Sequence, residues 1–148
     1  MTGMKVSSIS FTVFCYETED KNKIITSIIS FLKDFREYVD IKELKLQGHY
    51  RDTIISIKYE IKGKMATSAA EALLSRLDTS DIIFLIGTLG ERVDRSKLHL
   101  RLDKQKLVGE GKLTVKDGND VIKVIISSNG GIDKIKEELK QIANRAMS

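Results

Sequence analysis

Eight polar side chains in this sequence have the types and the grouping to hold a polyanion. Lys97, His99, Arg101, Lys104, Gln105 and Lys106 fall within ten residues, and His49 and Arg51 share a glycine-bearing turn. Lysine and arginine neutralise phosphates and release their counterions, which makes such binding steeply salt-dependent. Gln105, His99 and His49 can bond base edges or ribose hydroxyls, and a histidine ring can stack on a base. From Arg92 to Lys106 there are six basic and two acidic residues, a net of +4 that equals the formal charge of the whole chain. The remainder is balanced, so an electrostatic function is to be sought in this stretch first. The competing reading is a solvated strand face with Asp103 paired to a neighbouring lysine. Charge pattern alone weighs the two evenly.

Other chemistry finds less support. The only histidines, His49 and His99, lie in different segments without metal-ligand spacing. There is no nucleophile motif, P-loop or dinucleotide fingerprint. Asn129-Gly130-Gly131 could offer backbone N–H groups to a phosphate, but reads more simply as a turn that starts a helix. His49, His99 and Asp103 form the only acid–base set, and no spacing groups them. The single cysteine, Cys15, excludes an internal disulfide, fits a reducing compartment and sits at an apolar strand position as a core thiol. The chemistry therefore predicts a binding protein rather than an enzyme, with no cofactor and no metal.

The elements that must position these residues follow from periodicity. A chain of 148 residues, 41% hydrophobic and 31% charged, predicts one soluble globular domain over residues 1–148. No apolar run approaches the roughly 18 residues of a membrane span, and the N-terminus does not read as a signal peptide. A pI near 9.1 permits anionic partners without demanding them. Lys5 to Tyr16 alternates as a strand, with Ile9, Phe11, Val13 and Cys15 on one face and Ser8, Ser10, Thr12, Phe14 and Tyr16 on the other. Asp20 to Phe35 has helical spacing behind N-cap candidates. Val39 to Leu46 reads as a second strand whose apolar phase slips between Ile41 and Leu44, which predicts a bulge or irregular edge. Ile55 to Ile61 is a third strand, hairpin partner of the second. An alanine-rich helix spans Met65 to Leu77, and caps with four-residue spacing favour a short helix over Ile82 to Val93.

Leu98, Leu100 and Leu102 alternate with Lys97, His99, Arg101 and Asp103, the pattern of a half-buried strand. Its exit, Asp103-Lys104-Gln105-Lys106, is the expected site, with Asp103 organising the cations around it. Val108 to Gly111 reads as a turn or bulge. Lys112 to Lys116 and Val121 to Ser127 flank Asp117-Gly118-Asn119-Asp120 as a predicted hairpin. A last helix carries Ile132, Ile135, Leu139, Ile142 and Ala146. The order β-α-β-β-α-α-β-β-β-α predicts an α+β domain, a mainly antiparallel sheet with helices on one face, and places the Lys97–Asp103 strand at or near its centre.

The run Leu100-Arg101-Leu102-Asp103-Lys104-Gln105, preceded by Glu91-Arg92-Val93-Asp94, resembles an archaeal family described as an RNA-binding domain or predicted exosome subunit. Gly48-His49, Tyr16-Glu17-Thr18-Glu19-Asp20 and Asp117-Gly118-Asn119-Asp120-Val121-Ile122 look like further pieces of that pattern, in the same order. The chain departs from it in one place: the family often has Asn-Pro after the Gly-His turn, where this chain has Arg51-Asp52-Thr53. The resemblance implies a compact α+β fold similar to that of a ribosomal protein that binds ribosomal RNA. It also implies an archaeal, cytoplasmic, RNA-linked role.

The expectation is a non-catalytic RNA-binding protein, an accessory of RNA processing or degradation, with RNA and RNA-processing proteins as partners. The alternative is an assembly subunit that docks another protein through a basic face or through the irregular edge near Lys42 and Glu43.

Overall fold

A computed structural model describes residues 5–48, 50, 52–129 and 132–147. Strand β1 (Val6–Tyr16) leads into helix α1 (Lys21–Phe31), whose N-terminus is capped by Asp20 accepting from the Lys23 backbone. A 3₁₀ segment (Lys33–Tyr38) follows, so the predicted helix over residues 20–35 changes type at Leu32. Strands β2 (Asp40–Gln47) and β3 (Thr53–Lys62) form the predicted hairpin. Then come α2 (Lys64–Arg76), α3 (Thr79–Gly87) and α4 (Leu89–Arg92), the last two parted at Thr88. The two-residue β4 (Val93–Asp94), β5 (Lys97–Asp103), α5 (Lys104–Glu110), β6 (Val121–Ser128) and α6 (Ile132–Met147) complete the chain. None of the described helices is long and apolar enough to cross a membrane.

All six strands join one antiparallel sheet in the order β2-β3-β1-β6-β5-β4, and the fold is α+β as expected. One face is apolar because the period-two residues of four strands share it. Ile9, Phe11 and Val13 of β1, Ile57, Tyr59 and Ile61 of β3, Leu98, Leu100 and Leu102 of β5, and Ile122, Val124 and Ile126 of β6 are all buried there. The helices cover this face with Ile24 and Ile28, Ala66, Ala69 and Leu73, and Ile135 and Leu139, which join the same core cluster. The opposite face is mainly polar, with Phe14, Tyr16, Ile54 and Ile125 half-buried among its described residues.

Four expectations are corrected. Lys104-Gln105-Lys106 is not a strand exit: it is the first turn of α5, with Asp103 as N-cap accepting from the Lys106 backbone at 3.0 Å. The helix stops at Gly111, whose φ of 68° is the left-handed conformation that ends helices at little cost in glycine. Lys112 to Lys116 is not a hairpin partner of β6. Both edges of β6 are occupied, by β1 and β5, so this segment lies against the free end of β5 through a single bridge, Leu102 to Val115. Third, β5 lies second from the edge of the sheet rather than near its centre, a place taken by β1 and β6.

The fourth correction concerns β2, which has no bulge. Its eight residues pair with β3 in unbroken register from Asp40↔Glu60 to Gln47↔Thr53. The apolar phase slips because every residue of β2 is exposed. An edge strand that runs beyond the helical layer has no buried face to keep its alternation in step. The cost of truncating a leucine should differ accordingly. Leu100→Ala is expected to lower unfolding free energy by about 2–5 kcal/mol in urea titration, and Leu44→Ala, measured on the monomer, by no more than about 0.5 kcal/mol.

Candidate nucleic-acid interface

Register decides which polar side chains stand together on the open face. Lys42 pairs with Lys58, Lys58 with Thr12, Thr12 with Lys123, and Lys123 with Arg101. Four cations from four strands, with Thr12 between them, thus form one row across β2, β3, β1, β6 and β5. At the usual strand separation this row is about 19 Å long. Like charges directly opposite each other destabilise a sheet, and the row contains two such pairs, Lys42–Lys58 and Lys123–Arg101. The repulsion is little relieved within the chain. Lys42 lies 4.0 Å from Asp40 and Lys58 lies 3.9 Å from Glu60, both loose pairs. Arg101 donates to the Gly118 carbonyl at 3.1 Å, and the Lys123 ammonium sits over the Phe14 ring at 5.6 Å.

The neighbouring rows are milder. His99 aligns with Ile125, Ser10, Glu60 and Asp40, and Lys97 with Ser127, Ser8 and Lys62. Of the residues singled out in the sequence, Lys97, His99 and Arg101 are therefore exposed together on this face. Lys106 is exposed on α5, beyond the end of β5, and Gln105 donates to Asp120 at 3.3 Å and to Glu19 at 3.5 Å. His49 and Arg51 lie outside the described residues. Lys42, Lys58 and Lys123 were not singled out, because each stands alone in its local sequence and only strand pairing assembles them. The available signal was Phe14 and Tyr16, aromatic side chains on the polar face of β1.

Lys104 is placed differently from the surface position expected of it. Its side chain is 1% exposed. The ammonium donates to the Phe14 carbonyl at 3.0 Å and to Glu19 at 2.9 Å, pairs with Asp120 and lies 5.0 Å from the centre of the Tyr16 ring. Its three donors are thus used within the chain. Burial alone would lower the Lys104 pKa, but the hydrogen bonds it donates to Asp120 and Glu19 outweigh that and hold the pKa above 10.5. Burial would raise the Asp120 pKa, but Lys104 and Gln105 hold it below 3.8. Glu19 also accepts from the Tyr16 backbone at 3.0 Å. A similar tie joins Arg92 to Asp117 at 3.3 Å, with the guanidinium over the Phe84 ring at 5.1 Å. Among the described residues no group of three or more histidine, cysteine or carboxylate side chains could hold a metal ion.

The Lys104 cluster sets two limits on pH stability. The contribution of Asp120 is complete above pH 3.8 and is lost as pH falls through its lower folded value. That of Lys104 is complete below pH 10.5 and is lost as pH rises through its higher folded value. Lys104→Met is expected to cost about 2 kcal/mol in denaturant titration, because it leaves the Glu19 carboxylate and the Phe14 carbonyl without their donor beside a half-exposed Asp120. The same variant should flatten the acid limb of the stability curve below pH 3.8, where the lowered Asp120 pKa places the loss.

A family model described as RNA binding matches residues 8–128. Among solved structures, a protein of Sulfolobus solfataricus assigned to DUF54 is 38% identical, with a TM-score of 0.84 over 93% of this chain and 98% of its own. A DUF54 protein of Archaeglobus fulgidus is 25% identical, with a TM-score of 0.73 over 93% of this chain and 99% of its own. A DUF54 protein of Methanothermobacter thermautotrophicus, at 22% identity, shares the fold with a TM-score of 0.71 over 93% and 98% of the two chains. No functionally curated protein matches the chain. Those neighbours are archaeal proteins of the same architecture, and the family model spans the open sheet face from β1 to β6. The chain belongs to the DUF54 family, whose matching model is described as RNA binding.

Proposed function

We propose that this protein is a non-catalytic RNA-binding protein that holds the phosphate backbone against the open face of its sheet, as an accessory of RNA processing or degradation. The observation that carries this reading is the row Lys42, Lys58, Thr12, Lys123 and Arg101. A polyanion lying along the row offsets the mutual repulsion of its cations, and each phosphate contact adds counterion release. Lys97 and His99 extend the surface on the β5 side. Phe14 and Tyr16 are half-buried on the same face and lie beneath the Lys123 and Lys104 ammonium groups, so they offer ring edges rather than open stacking platforms. That favours backbone binding of low sequence preference over base readout. The non-catalytic part of the reading is supported by the acid–base candidates. His99 and Asp103 stand about 13 Å apart along β5, and the Asp103 carboxylate is engaged as a helix cap.

Anisotropy titration with a labelled single-stranded RNA and with an RNA hairpin tests it. Binding at low salt is expected to weaken steeply as salt rises. Alanine at Lys58, Lys123 and Arg101 together should lower low-salt affinity about tenfold or more and reduce the logarithmic salt slope by about 2, as loss of three phosphate contacts requires. Lys106→Ala should leave both nearly unchanged. A wild-type protein that fails to bind either RNA at low salt, or a triple variant that binds as well as wild type, would overturn the proposal.

A further inference from the structure

We propose that two copies of the chain pair through the outer edges of β2, antiparallel about a two-fold axis that passes Leu44. The strand is unusual for an edge. It is outermost in the sheet, eight residues long and paired without irregularity to β3, and no strand among the described residues meets its other side. Edges in monomeric proteins are generally kept short, bulged or covered. Here the strand also presents Leu44 at 61%, Ile41 at 47% and Leu46 at 37% exposure, with Tyr38 at 52% just before it.

The sequence of β2 selects a second copy and its register. When two antiparallel strands are related by a two-fold axis, directly opposed residues share a face, so the axis must pass a residue. An axis at Ile41 or Leu46 pairs only three residues of each β2, and one at Lys42, Glu43 or Lys45 sets like charges against each other across it. An axis at Leu44 opposes Leu44 to the partner's Leu44 and places Glu43 opposite the partner's Lys45, twice by symmetry. It also sets Lys42 beside the alkyl surface of the partner's Leu46, which a lysine stem can cover. Lys45 has no acidic partner within its own chain among the described residues, whereas Glu43 already holds Lys21 at 2.9 Å. Each Glu43 would then lie between two lysines. The pairing is self-complementary, as a two-fold interface requires, and it builds one twelve-stranded sheet with both open faces on the same side.

Sedimentation velocity and light scattering on the full chain, without RNA, test this directly. Wild type is expected to be dimeric in the micromolar range. Lys45→Glu replaces two attractive cross-strand pairs by two repulsive ones and should weaken the dimer about tenfold. The exchange Glu43→Lys with Lys45→Glu restores opposite charges and should recover most of the loss, and Leu44→Lys should give monomer. All three positions are exposed in the monomer, and circular dichroism is expected to stay unchanged. A wild type that stays monomeric at hundreds of micromolar, a dimer indifferent to Lys45→Glu, or a charge exchange that fails to rescue would overturn the proposal.

Discussion

One buried ammonium group ties together the parts of this fold that are far apart in sequence. Lys104 stands at the first turn of α5 and bonds to the end of β1 at the Phe14 carbonyl, to the β1–α1 turn at Glu19 and to the entry of β6 at Asp120. A lysine withdrawn from water is costly unless its charge and all its donors are satisfied. Two carboxylates, a carbonyl and a ring face meet that demand together: Glu19 from the β1–α1 turn, Asp120 from the entry of β6, and the Phe14 carbonyl and Tyr16 ring from β1. The arrangement fixes where β1 ends, where α1 begins and how β5 passes into α5. It also closes the end of the sheet where the chain would otherwise leave three turns to find their own geometry.

The same cluster changes the meaning of the sequence pieces that carried the family resemblance. Tyr16 to Asp20, Leu100 to Gln105 and Asp117 to Ile122 meet around Lys104, and Glu91 to Asp94 joins them through the Arg92–Asp117 pair. These fragments act in the structure as cross-links. The basic stretch from Arg92 to Lys106 therefore divides. Arg92 and Lys104 hold the fold, while Lys97, His99 and Arg101 face solvent. A run of charges in sequence was one feature, but the alternation of a strand and the start of a helix sent its members to separate tasks.

Much of the fold was legible because strands with one buried face must alternate. The pattern of β1, β3, β5 and β6 located the core, and Asp20 located the start of α1. Two features escaped for definite reasons. Asp103-Lys104-Gln105-Lys106 extends a strand of perfect alternation, which hid that Asp103 can cap a helix ending at Gly111. The Asp117–Asp120 turn signal suggested a local hairpin, but β6 is sandwiched between β1 and β5, and pairing of strands far apart in the chain leaves no local trace. The site was legible only in part, since Arg101 belongs to a visible cluster. Lys42, Lys58 and Lys123 gain their significance from register alone, which is a property of three dimensions.

The exposure of β2 bears on how the open face behaves in time. Lys42, the outer member of the basic row, stands on a strand that buries no side chain, while Arg101 and Lys123 stand on strands anchored in the core. Local opening free energy follows buried contacts, so in a single chain β2 opens more readily than β1, β3 or β6. The row is consequently stiff at one end and loose at the other. Any partner that engages Lys42 also orders β2 against β3, and part of its binding free energy is spent on that ordering. Occupancy of the face and the breathing of its edge are then a single coupled equilibrium.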